Sequence, residues 1–314
     1  MKRKLRTFTD YKDLGLSDKV TSQAGRAINK DGTFNIRKRG LRFLEQYSFF
    51  HALITVKWWK FYGIIVLTYC ILNVFFAFLY MLAGYHNLSG MVAGSFLEQF
   101  FESFFFSTQT FTTVGYGRIN PVGFTSNIIA SVESLVGLMS FALATGILYG
   151  RFSRPVEKFI YSDNLLVAPY KDITALMFRI ANAKNNVLSN VDVELMLSMN
   201  VTENGTQIRK FYELQLERKR INFLTLSWTV VHPVDEQSPL SGYEKQDFID
   251  ADVEVLILIN GYDDTYGQNV HARHSYKYYE FIWNAKFTPM FKRSDDEQYT
   301  ILELDKISEY QEMR

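Results

Sequence analysis

Five consecutive residues, Thr113-Val114-Gly115-Tyr116-Gly117, have the types and spacing to do chemistry with their backbone. Glycine adopts φ > 0 without a Cβ penalty, so glycines alternating with bulkier residues let successive carbonyls turn toward one axis. A row of such carbonyls can replace the hydration shell of a potassium ion, with the Thr113 hydroxyl adding an oxygen below them. Extended backbone at membrane depth is tolerated only where it is buried in protein or lines an aqueous path. The flanking elements therefore decide whether these carbonyls can serve an ion.

Immediately before them, Ser95 and Glu98 form a capping-box pattern that opens an apolar helix over about 95–110. Residues 61–150 contain only four charges, Glu98, Glu102, Arg118 and Glu133. Within that stretch, Phe61 to Gly84 is free of charge and long enough to cross a hydrocarbon core of about 30 Å, so a spanning helix is expected over 60–84. A second is expected over 124–151, with Glu133 its one internal charge and Ser134, Gly137, Ala142, Ala144 and Gly146 suited to close packing. Buried core helices are the alternative, and length, pairing and flanks weigh against it. Lys57 and Lys60 precede the first span and Arg151, Arg154 and Lys158 follow the second, while the connecting loop has only Arg118. Both termini are thus expected in the cytoplasm, with Trp58 and Trp59 at the inner interface.

Around this module the chain is ordinary. Its 314 residues carry 34 Lys+Arg against 33 Asp+Glu, which gives no basic field for nucleic acid. A single Cys70 excludes a disulfide framework. No secretory signal is expected at the N-terminus. Residues 1–42 read as a solvated cytoplasmic arm carrying a short basic run at Arg37, Lys38 and Arg39, and 43–57 as an amphipathic helix lying on the membrane surface. After Pro155 the period becomes strand-like at 174–183, 191–199, 207–218, 223–231, 253–261, 278–287 and 299–305, with turn signals between. Residues 152–314 are expected to form an all-β sandwich. His271 and His274 share a strand-like segment at a spacing that puts them on opposite faces, which favours structural roles over a metal site. Asn87-Leu88-Ser89 is a glycosylation sequon, usable only in a secretory-pathway host.

TVGYG between a short helix and a spanning helix is similar to the selectivity filter of potassium channels. Together with SLVGLMSFALATGILYGRFSRP, NIRKRG, LSWTVVHPVDEQSPL and HARHSYKYYEFIWNAKF, the chain resembles inward-rectifier potassium channels, most closely the prokaryotic branch. That resemblance implies two transmembrane helices plus a pore helix in a pore domain (58–151), an interfacial slide helix, and a C-terminal immunoglobulin-like β-sandwich. It further implies a homotetramer in the cell membrane, the bacterial inner membrane for a prokaryotic member. The channel would not be an enzyme and would need no cofactor besides the permeant K+. A voltage-gated class is among the expectations, although two spans leave no Arg-rich sensor, so gating is expected from the cytoplasmic domain, lipids or ligands.

By position, the resemblance assigns Thr113 to Gly117 to the filter, with Thr112, Gln109, Arg118 and Glu133 supporting it. Gln109 stands where many relatives have a Glu paired with the basic residue at Arg118, and Glu133 is the candidate to supply the missing carboxylate. Phe141 stands where strong rectifiers carry an acid, so weak rectification is expected. Glu133, Gly137, Phe141, Thr145 and Tyr149 recur every four residues and are expected to share a drifting face, with Gly137, Phe141, Thr145 and Tyr149 lining the pore and Tyr149 at the gate. Arg37, Lys38, Arg39, Lys57, Lys60, Arg151 and Arg154 are the expected contacts for anionic lipid, phosphoinositides included, on the inner leaflet. Two rivals lack their signatures: a channel with a nucleotide-binding domain needs βαβ units and a Gly-rich turn, and a membrane-tethered enzyme or lipid sensor needs a catalytic constellation.

Overall fold

The computed structural model describes residues 25–36, 40, 49–92, 94–153, 159–203, 205–296 and 298–313. They fall into two compact units, a helical one within 39–154 and a β unit joining 25–36 to 159–313.

In the helical unit a short helix α1 (Phe49–Thr55) precedes α2 (Trp58–Ala83), α3 (Phe96–Phe111) and α4 (Phe124–Phe152). Helices α2 and α4 are long and apolar enough to cross a membrane. The segment expected to lie on the membrane is helical over Phe49–Thr55, and its first residues, 43–48, lie outside the described residues. At the N-terminus of α3, Ser95 Oγ accepts from the Glu98 amide and the Glu98 carboxylate accepts from the Ser95 amide, so two otherwise orphaned donors are satisfied. Two minimal strands, β1 (Leu88–Ser89) and β2 (Asn120–Pro121), pair antiparallel and tie together the loops flanking α3. Asn87 Nδ2 donates to the Ala83 carbonyl, so the sequon asparagine caps the end of α2. Phe76, Tyr80, Leu88, Phe106 and Ile119 form the core of this unit.

The β unit is a two-sheet sandwich. One sheet orders β11 (Gln268–Lys277), β10 (Glu254–Asp263), β6 (Leu188–Glu203) and β7 (Thr206–Leu214), with β8 (Arg220–Leu224) also on β6. The other orders β12 (Phe281–Trp283), β4 (Leu165–Tyr170), β5 (Ile173–Asn182) and β3 (Phe159–Tyr161), with β9 (Ser227–Val234) on β5. Alternate residues such as Leu176, Phe178 and Ile180 meet Val193, Leu195, Leu197, Val255 and Ile257 in one core, as period-two patterning requires. Short pairs β13 (Ala285–Phe287) with β16 (Tyr310–Glu312), and β14 (Phe291–Arg293) with β15 (Thr300–Leu302), complete the unit. The run expected as one strand over 223–231 is split between β8 and β9, and 278–287 opens with a 3-10 turn before two short strands.

The expectation of a solvated arm fails for residues 25–36. Ile28 is buried against Met196 and Leu256, and it bridges Phe34 in a small hairpin. The Ala27 amide donates to both carboxylate oxygens of Glu254 at 2.9 and 3.1 Å. Ser275 Oγ donates to the Ile28 carbonyl at 2.6 Å, Arg26 pairs with Glu280, and Lys30 reaches Glu280 at 2.8 Å. The polar partners lie more than 200 positions away, so composition alone gave no sign of them.

His271 and His274 point to opposite faces of β11. His271 Nδ1 meets Asn260 Oδ1 at 2.6 Å, while His274 is buried, stacked on the Tyr161 ring at 4.2 Å, with Nδ1 3.1 Å from the Lys30 carbonyl. No cluster able to hold a metal occurs among the described residues. Burial pushes the His274 imidazole down to about 4 from its ordinary 6.5. The unfolded chain therefore binds more protons between these values, and stability is lost as pH falls from 6.5 through 4, by about 3 kcal/mol at the acid end. Replacing His274 with Gln should flatten this acid-side decline of the thermal midpoint, measured on the full chain in detergent between neutral pH and pH 4.

Candidate functional site

The end of α3 sets the conformation of the five-residue segment. Thr112 closes the helix, its Oγ1 donating to the Thr108 carbonyl at 2.7 Å and its amide to the same carbonyl at 3.2 Å. The Thr113 amide then donates to Thr110 at 3.0 Å, and the amides of Val114 and Gly115 both donate to the Gln109 carbonyl, at 2.9 and 3.3 Å. Gln109 thus supports the segment through its backbone. The helix end gives one of its orphan acceptors to two donors of the following chain.

Backbone handedness alternates along the segment. Thr113, Gly115 and Gly117 have φ of 60°, 53° and 82°, and Val114 and Tyr116 are not in the positive region. Thr113 is a β-branched residue held at positive φ, a strained state that persists only where its surroundings over-determine it. At the far end Asn120 Nδ2 donates to the Gly117 carbonyl at 2.8 Å. The side chains of Val114 and Tyr116 are exposed in the single chain, Tyr116 at 80%.

Behind the segment the support differs from expectation. Arg118 pairs with Glu102 of α3 at 2.8 Å, so the carboxylate that the Gln109 position lacks is supplied by Glu102, not by Glu133. Sixteen positions separate the pair, too far for a local pattern to link them. Glu133 lies fully buried where α2, α3 and α4 meet. It accepts from Tyr80 Oη at 2.5 Å and is joined to Ser107 Oγ, which lies 3.0 Å from Asn73 Oδ1. Asn73 Nδ2 donates to the Tyr69 carbonyl at 2.8 Å. Tyr80, Asn73 and Ser107 were absent from the sequence-based set. Their signal was an amide inside a charge-free spanning run and a hydroxyl on the buried side of α3.

The four-residue repeat on α4 does not form one functional face. Each step of four advances about 40° beyond a full turn, so four steps bring Tyr149 to nearly the opposite side from Glu133, about 160° away. Accordingly Glu133 and Gly137 are buried, whereas Phe141, Thr145 and Tyr149 are exposed in the single chain, Phe141 and Tyr149 at 74%. Gly137, expected on the open face, is buried instead. A Cβ there would stand 2.2 Å from the Phe111 carbonyl, so the missing side chain lets α4 touch the last turn of α3.

The basic residues also separate. Arg151 donates from Nη1 to the Leu53 carbonyl at 2.6 Å and from Nη2 to the Val56 carbonyl at 2.7 Å. Its guanidinium lies over the rings of Trp58 and Phe61, at 4.4 and 4.6 Å from their centroids. It is therefore engaged by protein and not free for a lipid phosphate. Lys57 and Lys60 are exposed, Lys60 lying over Trp59 at 5.3 Å. Arg37, Lys38, Arg39 and Arg154 lie outside the described residues.

Two family models match the chain, one described as the inward rectifier potassium channel C-terminal domain over residues 159–313 and one as an ion channel over residues 64–154. Inward rectifier potassium channel Kirbac3.1 of Paramagnetospirillum magnetotacticum is 34% identical over 282 residues, covering 88% of this chain and 93% of that protein. G protein-activated inward rectifier potassium channel 2 of Rattus norvegicus is 25% identical over 304 residues, covering 88% of this chain and 70% of that protein. Neither spanning helix carries a series of arginines, and nothing supports voltage gating. Gly137→Ala should destabilise the protein by about 1–3 kcal/mol through overpacking against Phe111, read as a lower thermal midpoint in detergent, whereas Gly146→Ala, with open space around its Cβ, should leave it unchanged.

Proposed function

This chain belongs to the inward-rectifier potassium channel family, its prokaryotic branch, and on that premise we propose that four copies close around one axis to form a K+-selective pore. Thr113 to Gly117 of each copy supply the carbonyls. The observation that carries this reading is the alternating backbone handedness at Thr113, Gly115 and Gly117, with the amides of Val114 and Gly115 drawn back onto Gln109. Among the described residues the carbonyls of Thr113 to Tyr116 accept no hydrogen bond, that of Gly117 accepting from Asn120, and so they are available to a dehydrated cation. One chain contributes one strand of the ring, so closure requires identical neighbours. The exposed Val114 and Tyr116 side chains support the same conclusion, since apolar surface of that size next to a strained backbone calls for a packing partner. The permeant K+ is the sole ion in this reading, and no cofactor enters it.

The exposed Phe141, Thr145 and Tyr149 of α4 line the path below the filter, and four Tyr149 rings close it by steric contact and dewetting. Phe141 places no charge there to hold polyamines or magnesium, so rectification is weak. Lys57 and Lys60 at the start of α2, with Arg37, Lys38, Arg39 and Arg154, present positive charge to anionic lipid headgroups, and such lipids modulate gating. Both termini and the β unit then lie in the cytoplasm.

Reconstituted into liposomes, the chain should pass K+ but not Na+, with block by barium; no flux under any lipid condition would favour a membrane-tethered sensor. Tyr149→Ala should raise the leak of closed channels. Phe141→Asp should tighten internal spermine block by about tenfold or more, as each of the four added charges around the path is worth about 1.4 kcal/mol or more at low effective dielectric.

A further inference from the structure

The junction of α2, α3 and α4 holds four fully buried polar side chains, Asn73, Tyr80, Ser107 and Glu133, connected in one line. Their protons can be counted. Tyr80 Oη has one proton, and its partner is Glu133 Oε2. Ser107 Oγ has one proton and two acceptors beside it, Glu133 Oε1 and Asn73 Oδ1. The orientation of the Asn73 amide is set at its other end, where Nδ2 donates to the Tyr69 carbonyl; turning the amide over would place two oxygens 2.8 Å apart. If Glu133 were a carboxylate, it would take the Ser107 proton and leave Asn73 Oδ1 facing a lone pair at 3.0 Å. A proton on Glu133 Oε1 removes the conflict. Glu133 then donates to Ser107, Ser107 donates to Asn73, Asn73 donates to Tyr69, and Tyr80 donates to Glu133. Each of the facing oxygens then has a proton between it and its neighbour, and no uncompensated charge is buried between spanning helices.

From this count we infer that Glu133 is an uncharged carboxylic acid whose role is to fix α3, and through the Gln109 carbonyl the filter, by a hydrogen-bond chain with one direction. It is a positioning residue. The inference rests on the proposed filter reading for its functional half and on donor arithmetic for its chemical half.

Glutamine at 133 reproduces the direction of the chain, its Oε1 accepting from Tyr80 and its Nε2 donating to Ser107, so the obvious loss-of-charge variant is expected to work. The full chain is compared with Glu133→Gln, Glu133→Ala and Ser107→Ala in the same liposomes. Infrared difference spectra of the native chain minus Glu133→Gln at neutral pH should show a carboxylic-acid carbonyl band and no carboxylate pair; a carboxylate pair overturns the inference. Glu133→Gln should keep the K+ over Na+ flux ratio across mildly acidic to mildly basic pH, whereas Ser107→Ala and Glu133→Ala should lower it about tenfold, the worth of one or two buried hydrogen bonds. A Glu133→Gln ratio as low as that of Glu133→Ala overturns it as well. The filter reading fails differently: the native chain itself would then show no K+ selectivity, while the infrared band still decides the state of Glu133.

Discussion

Backbone that is neither helix nor sheet must find partners for its amides before its carbonyls can be offered to anything else. Here that constraint is met by the Gln109 carbonyl, which accepts from the amides of both Val114 and Gly115. The α3 helix ends where its own unsatisfied acceptors are needed, and the following residues alternate in handedness because their amides are already committed to one side. The rest of the helical unit serves to hold α3 still. Its N-terminus is capped by Ser95 and Glu98, its outer flank is tied through Glu102 to Arg118, and its last turn rests directly on the bare backbone of Gly137. Its middle is joined through Ser107 to both spanning helices.

Much of this was legible in the sequence wherever the cause is local. The glycine alternation, the capping box and the charge-free runs each depend on residues within a turn or two of one another, and period-two patterning is enough to announce a sandwich. What was not legible depends on how helices rotate against each other. A repeat of four looks like a single face when written out, yet the drift along α4 puts its first members among buried neighbours and its last at the open surface. Gly137 was therefore grouped with the open face although it is buried against Phe111. The partner of Arg118 and the docking of residues 25–36 escaped for a related reason, since only the folded chain brings such distant positions together.

Charge is sparse over residues 61–150, and each of its four charged side chains has a partner. Glu98 satisfies a helix end, Glu102 and Arg118 neutralise each other, and Glu133 is enclosed by hydroxyl and amide groups. The β unit uses charge in the opposite manner. Arg209 and Lys277 converge on Asp252, while Glu254 and Glu280 anchor the N-terminal hairpin. Buried ion pairs of this type contribute little net stability, yet breaking one side is costly, which makes them selective fasteners for a particular partner segment.

Arg151 joins two pieces of the helical unit that the chain itself connects only through a long detour. With both ends of its guanidinium on the carbonyls of Leu53 and Val56, and its flat faces against Trp58 and Phe61, the foot of α4 and the trailing end of α1 move as one body. Independent motion would sever two charge-assisted hydrogen bonds, each worth about 1.5–3 kcal/mol. A sideways displacement of α1 therefore has either to carry the foot of α4 with it or to break those bonds.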